Sequence, residues 1–439
     1  MMIFAAALAS AAFEPTGLWF LAIFGFALFF RKLVKSEKPV IHSIIFGFTL
    51  NAIVLHWSGK YVGALPWLLL ALLQALFYLP VGIFYRYTKS LWLSALVLLL
   101  MEEVRARFPF GGFGWTRIAF SQVDSPALPI VSIGGVLALS AFTVVIALLF
   151  VRFGFRSFIA ITLLFITALL LPQNPQGSGS VRLLAVQGNT PEVGLEFNSR
   201  AKAVFNLHRD ATREFAIEQY DAIIWPENAI DIDPRKNPSV ASDIAKLTNE
   251  LQAPLIAGVV QHENGRPENA SIMYSKEGKL QSVYVKRGLT PFGEFMPLRK
   301  IAEFLSPKAQ TVVDFRPGDK LVTHQVLGQQ LGPILCYEII MDSLVRDMAN
   351  SSKALIVQTN SATFANTAES AQQLAITRIR AVEHSRAILS VSTVGISAFI
   401  DNNGRVLQKT SENEKSYLVG DLQLSTNRTF IDRLWQWIS

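Results

Sequence analysis

Residues 173–187 read Gln173-Asn174-Pro175-Gln176-Gly177-Ser178-Gly179-Ser180-Val181-Arg182-Leu183-Leu184-Ala185-Val186-Gln187, and the chain changes character at Ser180. Gln173–Ser180 holds Pro, Gly and Ser with no apolar periodicity, which is the composition of a linker. Val181–Gln187 is a short apolar run, the signature of a buried strand. The two sides of this junction differ in kind.

On the N-terminal side, apolar runs succeed one another: Met1–Phe13, Gly17–Phe30, Pro39–Trp57, Val62–Phe84, Leu91–Met101, Pro126–Val151 and Phe158–Leu171. A helix needs about 20 apolar residues to cross roughly 30 Å of hydrocarbon. Leu91–Met101 and Phe158–Leu171 reach that length only with flanking residues such as Tyr87, Ser90, Arg156 and Ser157. Met1–Phe13 and Gly17–Phe30 are split by Glu14-Pro15-Thr16, so they read as two tilted or re-entrant helices or as one interrupted helix. A cleavable signal carries its basic residues ahead of the apolar core, whereas Arg31, Lys32, Lys35 and Lys38 come after it. Six or seven spans are therefore expected in residues 1–172. Counted alternately, one set of loops holds Arg31, Lys32, Lys35, Lys38, Arg86, Lys89, Arg152 and Arg156; the other holds Lys60, Arg105, Arg107 and Arg117. The richer set belongs in the cytoplasm, which sends the chain out of the membrane after Leu171 on the outer side.

Composition agrees. Of 439 residues only 17% are charged and 51% are hydrophobic, against about 25% charged in a soluble domain. That excludes a disordered chain and argues against a purely soluble one. The net charge of +7 resides in residues 1–179, with 12 Lys+Arg against 5 Asp+Glu; the remainder carries 28 of each. A nucleic-acid binder places its excess on a solvated face, so no nucleic-acid partner is expected. Cys336 is the one cysteine, which rules out an intramolecular disulfide or a cysteine-based zinc site. His42, His56, His208, His262, His324 and His384 show no metal-binding spacing, and no cofactor or metal is expected.

On the C-terminal side, strands and helices alternate. Strands are expected at Val181–Gln187, Ala222–Trp225, Pro254–Val260, Ser271–Tyr274, Leu280–Val285, Gly332–Cys336, Ala354–Gln358, Ala387–Thr393, Ser397–Asp401 and Tyr417–Leu422. Lys276–Lys279 and Asn402–Arg405 read as hairpin turns. Helical patterns lie at Phe197–Gln219, Ser239–Leu251, Asp342–Ala349 and Ala368–Ser385. This mixture predicts a layered α/β domain.

Three stretches carry chemistry at strand ends. Ile223-Ile224-Trp225-Pro226-Glu227 stops an apolar strand at a proline and delivers a carboxylate; alone it also reads as a helix cap or loop acid. Val285-Lys286 ends a strand at a lysine, and the Pro/Gly-rich loop to Pro297 brings Glu294; alone this reads as a surface base and a turn. Ile334-Leu335-Cys336-Tyr337-Glu338 ends a strand at the cysteine, which alone reads as a small buried hydrophobe. Together they make a nucleophilic set. A thiol reacts as thiolate, with a free pKa of about 8.5. A carboxylate can take its proton, and a lysine can stabilise the anions formed on attack at a carbonyl.

With Glu227, Lys286 and Cys336 in this order, the second half resembles the nitrilase superfamily of carbon–nitrogen hydrolases. Taken whole, the chain is similar to that superfamily's membrane branch, the apolipoprotein N-acyltransferase family. The segments that carry the resemblance are Phe108–Trp115, Phe120–Asp124, Val186-Gln187-Gly188, Trp225-Pro226-Glu227, Lys286–Pro297, Cys336–Ile339, Arg378–Glu383 and Gly395-Ile396-Ser397. The resemblance implies a membrane α-helical bundle (1–172), a linker (173–180) and an extracytoplasmic αββα sandwich (181–439). It implies Glu227 as general base, Cys336 as nucleophile and Lys286 as the group stabilising the oxyanion. It further implies Glu294 as a second carboxylate, Tyr337 and Glu338 as shapers of the pocket, and Asn269 as a strand-end neighbour. The implied reaction passes an acyl chain from a phospholipid through a Cys336 thioester to the α-amine of a diacylglyceryl apolipoprotein. A monomer in a bacterial plasma membrane is expected, both substrates being lipids held in one leaflet.

The sequence departs from the family pattern at Phe197, where a tryptophan is usual, at Thr359–Phe364, at Gln372-Gln373 in place of Gln-His, and at Ser392-Thr393-Val394. The family's C-terminal membrane helix has no counterpart in the Trp-rich segment Asp432–Ser439. A membrane-tethered amidase or nitrilase, or a catalytically idle scaffold, are the alternative readings. Phe108–Trp115 reads as an aromatic interface anchor or a lipid-handling loop. Ile301–Phe315 reads as a membrane-dipping arm or a core helix, and the Arg378/Arg380/Glu383 face as a structural, salt-bridged one.

Overall fold

The computed structural model describes residues 1–60, 62–192, 202–305 and 307–438. They form two compact units, one of Met1–Gln173 with Thr429–Ser439 and one of Asn174–Arg428. Thr429–Ser439 thus joins the first unit, whereas sequence alone left it at the end of the second.

In the first unit the apolar runs become helices: α1 (Met2–Ser10), α2 (Phe20–Val34), α3 (Pro39–Val54), α4 (Ala64–Leu76), α5 (Leu79–Thr88), α6 (Leu91–Arg105), α7 (Val131–Val151) and α8 (Phe155–Leu169). The two N-terminal runs form two separate helices. The run Val62–Phe84 is divided at Phe77-Tyr78, and Pro80 sits at the start of α5, where a missing N–H leaves no partner unsatisfied. Ser90 starts α6 by accepting the N–H of Leu93 at 3.3 Å. Ala64–Thr88 and Leu128–Val151 are long and apolar enough to cross a membrane, by length and composition; Pro39–Val54 and Phe155–Leu169 are apolar but shorter. Polar groups inside this unit pair with one another. Arg105 donates to Glu102 at 3.2 Å and to Thr116 Oγ1 at 2.6 Å, and Thr116 Oγ1 donates to Asn51 at 2.6 Å. These bonds fix the residues just after Phe108–Trp115 to α3 and α6, as burial of charge demands.

In the second unit, β1 (Ser180–Gln187) is buried on both faces, so its near-continuous apolar sequence requires a layer on each side. Its next elements are α9 (Ala203–Phe215), β2 (Ala222–Ile224), α10 (Pro238–Leu251), β3 (Leu255–Glu263), β4 (Arg266–Tyr274), β5 (Leu280–Val285) and α11 (Arg299–Leu305). Then come β6 (His324–Val326), β7 (Gln329–Leu335), α12 (Asp342–Asn350), β8 (Ala354–Thr359), α13 (Glu369–Glu383), β9 (Ile388–Ser392), β10 (Ala398–Ile400), β11 (Val406–Lys409) and β12 (Ser416–Gln423). The last helix, α14 (Phe430–Ile438), belongs to the first unit and packs on α7.

The strands make two six-stranded sheets, ordered β12-β1-β2-β3-β4-β5 and β11-β10-β9-β8-β7-β6. The central strands β1-β2-β3 and β7-β8-β9 are parallel and the flanking pairs antiparallel. Alternation does the layering. Val181, Leu183, Ala185, Ile224 and Ile256 meet Leu331, Ile356, Leu389 and Val391 between the sheets. Leu184, Val186, Ile223 and Leu255 face Phe205 of α9 and Val240, Ile244 and Leu247 of α10. Helices α12 and α13 pack on the second sheet, and the result is the αββα arrangement. Across the layers, His324 of β6 is held by Ser271 of β4 at 2.9 Å and Ser282 of β5 at 2.7 Å. Gln358 of β8 donates to the Trp225 carbonyl at 2.6 Å.

Candidate active site

Glu227 follows the C-terminal end of β2, Lys286 the end of β5 and Cys336 the end of β7. Clefts of open α/β sheets form at such strand ends. Gly258 of β3 lets Glu227 reach its place: a Cβ there would lie 2.4 Å from the Glu227 Cα.

Lys286 is buried, 1% exposed. Its ammonium donates to Glu227 Oε1 at 2.9 Å and to Glu294 Oε1 at 3.0 Å. Asn269 of β4 donates Nδ2 to the same two oxygens, at 2.6 Å and 2.7 Å. Glu294 also accepts the Thr290 N–H at 2.8 Å. Burial works against every charge in this group. It pushes the Glu227 carboxyl up; Lys286 opposes that and Glu294 adds to it, leaving Glu227 above its ordinary value. Burial pushes Glu294 up too, but Lys286, Asn269 and the Thr290 N–H reverse the effect and hold it below its ordinary value. Burial lowers the Lys286 ammonium, and the two carboxylates outweigh it, so Lys286 stays charged. Two carboxyls pushed apart in this way divide the labour: Glu294 is the standing counter-ion and Glu227 the group able to take a proton.

Cys336 opens a 3₁₀ turn, Cys336–Ile340, with φ +45°. A left-handed angle at a residue with a Cβ is strained, by roughly 1–3 kcal/mol, and such strain collects at functional sites. Burial, then Glu227, push the thiol well above its ordinary value, with Lys286 pulling down. The resting sulfur is therefore a neutral thiol, which becomes a thiolate only by giving its proton to a base. The Gln373 side-chain amide lies 3.6 Å from Sγ as donor. Gln373 is one of the departures from the family pattern, and nothing in the sequence marked its contact with sulfur.

Glu338 stands behind this group. Its Oε1 accepts from Tyr284 Oη at 2.8 Å and from the N–H groups of Arg287 at 2.8 Å and Gly288 at 3.0 Å, and its Oε2 accepts from Leu335 N–H at 2.8 Å. It joins the strand end that carries Lys286 to the turn that carries Cys336. Tyr337 is buried next in the same turn. Tyr284, a partner of Glu338, was not singled out by sequence either; its position inside a strand gave no signal. Phe197 lies outside the described residues. Arg380 pairs with Glu383 at 2.5 Å and Asp342 at 2.6 Å and donates to the Ile339 carbonyl at 2.9 Å, a structural tie between α13 and α12. In the segment Ile301–Phe315, Ile301, Phe304 and Val313 are exposed.

Residues 5–149 match the family model described as apolipoprotein N-acyltransferase N-terminal domain, and residues 183–432 match that of the carbon-nitrogen hydrolases. A Mycolicibacterium smegmatis protein named apolipoprotein N-acyltransferase is 31% identical over 95% of this chain and 78% of its own length. One of the same name from Shewanella oneidensis is 28% identical over 97% of this chain and 89% of its own. Among solved structures, an amidase from Nesterenkonia sp. is 16% identical, with TM-score 0.45, over 59% of this chain and 98% of the amidase.

Proposed function

The chain belongs to the apolipoprotein N-acyltransferase family of carbon–nitrogen hydrolases, and from that premise we propose how its own residues carry the transfer. The enzyme moves a fatty acyl chain from a phospholipid to the N-terminal α-amine of diacylglyceryl-cysteine in apolipoproteins. Glu227 takes the Cys336 proton as sulfur attacks the ester carbonyl of the phospholipid. Lys286 stabilises the oxyanion of the tetrahedral intermediate. The ester C–O bond breaks, Glu227 returns the proton to the departing lysophospholipid oxygen, and the acyl chain stays on Cys336 as a thioester. The acceptor amine then attacks the thioester carbonyl; the C–S bond breaks and the sulfur recovers a proton. Glu294 and Asn269 hold Lys286 and Glu227 in register, and Tyr337 and Glu338 shape the turn beneath the sulfur. The observation that carries this reading is the Lys286 ammonium bound at once to Glu227 and Glu294, with a strained cysteine at the C-terminal end of β7 in the other sheet.

Residues 1–172 cross a bacterial plasma membrane six or seven times, residues 181 onward work on its outer side, and the protein acts as a monomer. The apolar runs and the eight-to-four bias of basic loops support this. The test is intact-mass spectrometry of the detergent-purified protein after incubation with phospholipid. One acyl group added at Cys336, discharged by a diacylglyceryl peptide, is the expected result. Acyl transfer by Cys336→Ser at the parent rate, or hydrolysis of soluble amides with no acyl-enzyme from phospholipid, overturns it.

A further inference from the structure

Glu369 is a buried carboxyl that the two-step scheme leaves unused. It is 2% exposed, in the first turn of α13. No Lys or Arg pairs with it among the described residues, and its partners are hydroxyls: Ser370 Oγ at 3.4 Å and Ser361. Ser392 Oγ donates onward to Ser361 at 3.4 Å, and Gly395 N–H donates to Ser392 at 3.0 Å. A Cβ on Gly395 would come within 2.7–2.8 Å of the hydroxyls of Ser370, Ser361 and Ser392, so the backbone closes against this cage. Burying a carboxyl with only hydroxyl partners is costly, and among the described residues no ion pair compensates it.

Its place on the helix gives a reason for it. Residues four apart share one helix face. Gln373, four residues on, reaches Cys336 Sγ at 3.6 Å, so Glu369 lies on the face of α13 turned to the sulfur. Two titratable groups act on it from other elements, Glu412 before β12 and Glu227 after β2, and it acts in turn on Cys336 after β7. None is a cation. Burial, opposed by Ser361 and Ser370 and helped by Glu412 and Glu227, brings the Glu369 carboxyl up to about 7.

The second half-reaction has a proton to place that the first does not. The acceptor α-amine, with an ordinary pKa of about 7.7–8.0, arrives largely as ammonium. Of its three N–H protons the amide keeps one. One returns through Glu227 to the departing Cys336 thiolate, and one must leave before attack. An ordinary glutamate at about 4.3 would take that proton against a several-thousandfold bias, and a carboxyl near neutrality against only about tenfold. We propose that Glu369 is the base that takes the first proton from the acceptor ammonium, so that discharge of the Cys336 thioester uses a second carboxylate that its formation does not need. Taking up that proton also removes a negative charge from beside the sulfur as the thiolate departs.

This inference rests on the two-step reading, and one experiment separates the two. Full-length protein in detergent is loaded with phospholipid, then mixed with a synthetic diacylglyceryl peptide from pH 5.5 to 8.5, and loading and discharge are followed separately by intact mass. No thioester in the parent overturns the two-step reading. With a loaded parent, Glu369→Gln is expected to load within about twofold of the parent and to discharge at least tenfold more slowly, without the parent's rise in rate near neutrality. Hydroxylamine, uncharged at neutral pH, is expected to discharge parent and variant alike. Parent-like discharge to the peptide, or equal losses in loading, peptide discharge and hydroxylamine discharge, overturns the role of Glu369. Should Glu369→Gln fail to fold, Glu369→Asp decides: its shortened carboxylate must slow discharge to the peptide more than loading, and equal effects on both reject the proposal.

Discussion

At the scale of single residues, the site sets covalent geometry against burial. Cys336 sits at φ +45°, where a Cβ is strained and glycine is not. Cys336→Gly and Cys336→Ala both remove the sulfur, but only the alanine keeps the strain. The glycine variant is therefore expected to be the more stable by up to about 1 kcal/mol, reversing the usual order of these residues. Melting temperatures in detergent check it; an alanine variant that melts higher would place the strain elsewhere. Glu294 gives a pH prediction. Its charge helps raise Glu227, after burial, while Glu294 itself is held low and stays ionised in the working range. In the proposed mechanism Glu227 acts as the base, and only above its own pKa, so loading of Cys336 is expected to rise with pH through that value. Glu294→Gln removes a negative charge from beside Glu227, so the Glu227 pKa falls and the acid limb of the loading profile moves to lower pH. A shift to higher pH would mean that Glu294 does not act on Glu227 by charge.

At the scale of elements, the question is what holds three strand ends in register. Glu338 is the clamp between β5 and β7, with four donors on one buried carboxylate. Glu338→Ala strands the N–H groups of Leu335, Arg287 and Gly288 in the interior, each worth about 1–3 kcal/mol when left unpaired. A destabilisation of roughly 3 kcal/mol or more is expected from melting curves. Loading is expected to fall about a hundredfold, because a misplacement of about 1 Å costs that much. Glu338→Gln, which keeps acceptor capacity, should lose less on both counts. The strands bearing the site were legible in sequence because each is a short apolar run stopped by a polar residue: Ala222–Trp225 before Glu227, Leu280–Val285 before Lys286, Gly332–Cys336. The short, half-polar strands His324–Val326 and Val406–Lys409 were not, since neither shows a buried face on its own. Nor were the roles of Gln373 and Glu369. Helical periodicity places them on one face, but only tertiary packing brings that face to Cys336. The hydrogen bonds of Asn269 to both carboxylates likewise depend on the β3–β4 register, which pairs it with Val260.

At the scale of the whole molecule, the two halves bury different kinds of residue. The second unit buries its apolar residues between layers, as water demands. The first leaves Leu68, Leu69, Leu72 and Leu76 of α4, Trp92, Leu96 and Leu100 of α6, and Leu163 and Leu169 of α8 exposed, while Glu102, Arg105 and Arg117 are buried. That inversion suits hydrocarbon, where a paired charge belongs inside and leucine outside. The proposed orientation rests on charge, and it is testable without disturbing the bias itself. In a Cys336→Ala background, Tyr87→Cys introduces a thiol beside Arg86 and Lys89 at a position 80% exposed, and Glu277→Cys introduces one in the exposed β4–β5 turn. A membrane-impermeant maleimide is expected to label Glu277→Cys in intact spheroplasts and Tyr87→Cys only after permeabilisation. Labelling of both sites from outside would place Arg86 and Lys89 on the wrong face for the positive-inside rule. Labelling of Tyr87→Cys alone would invert the proposed topology and put the Cys336 site in the cytoplasm.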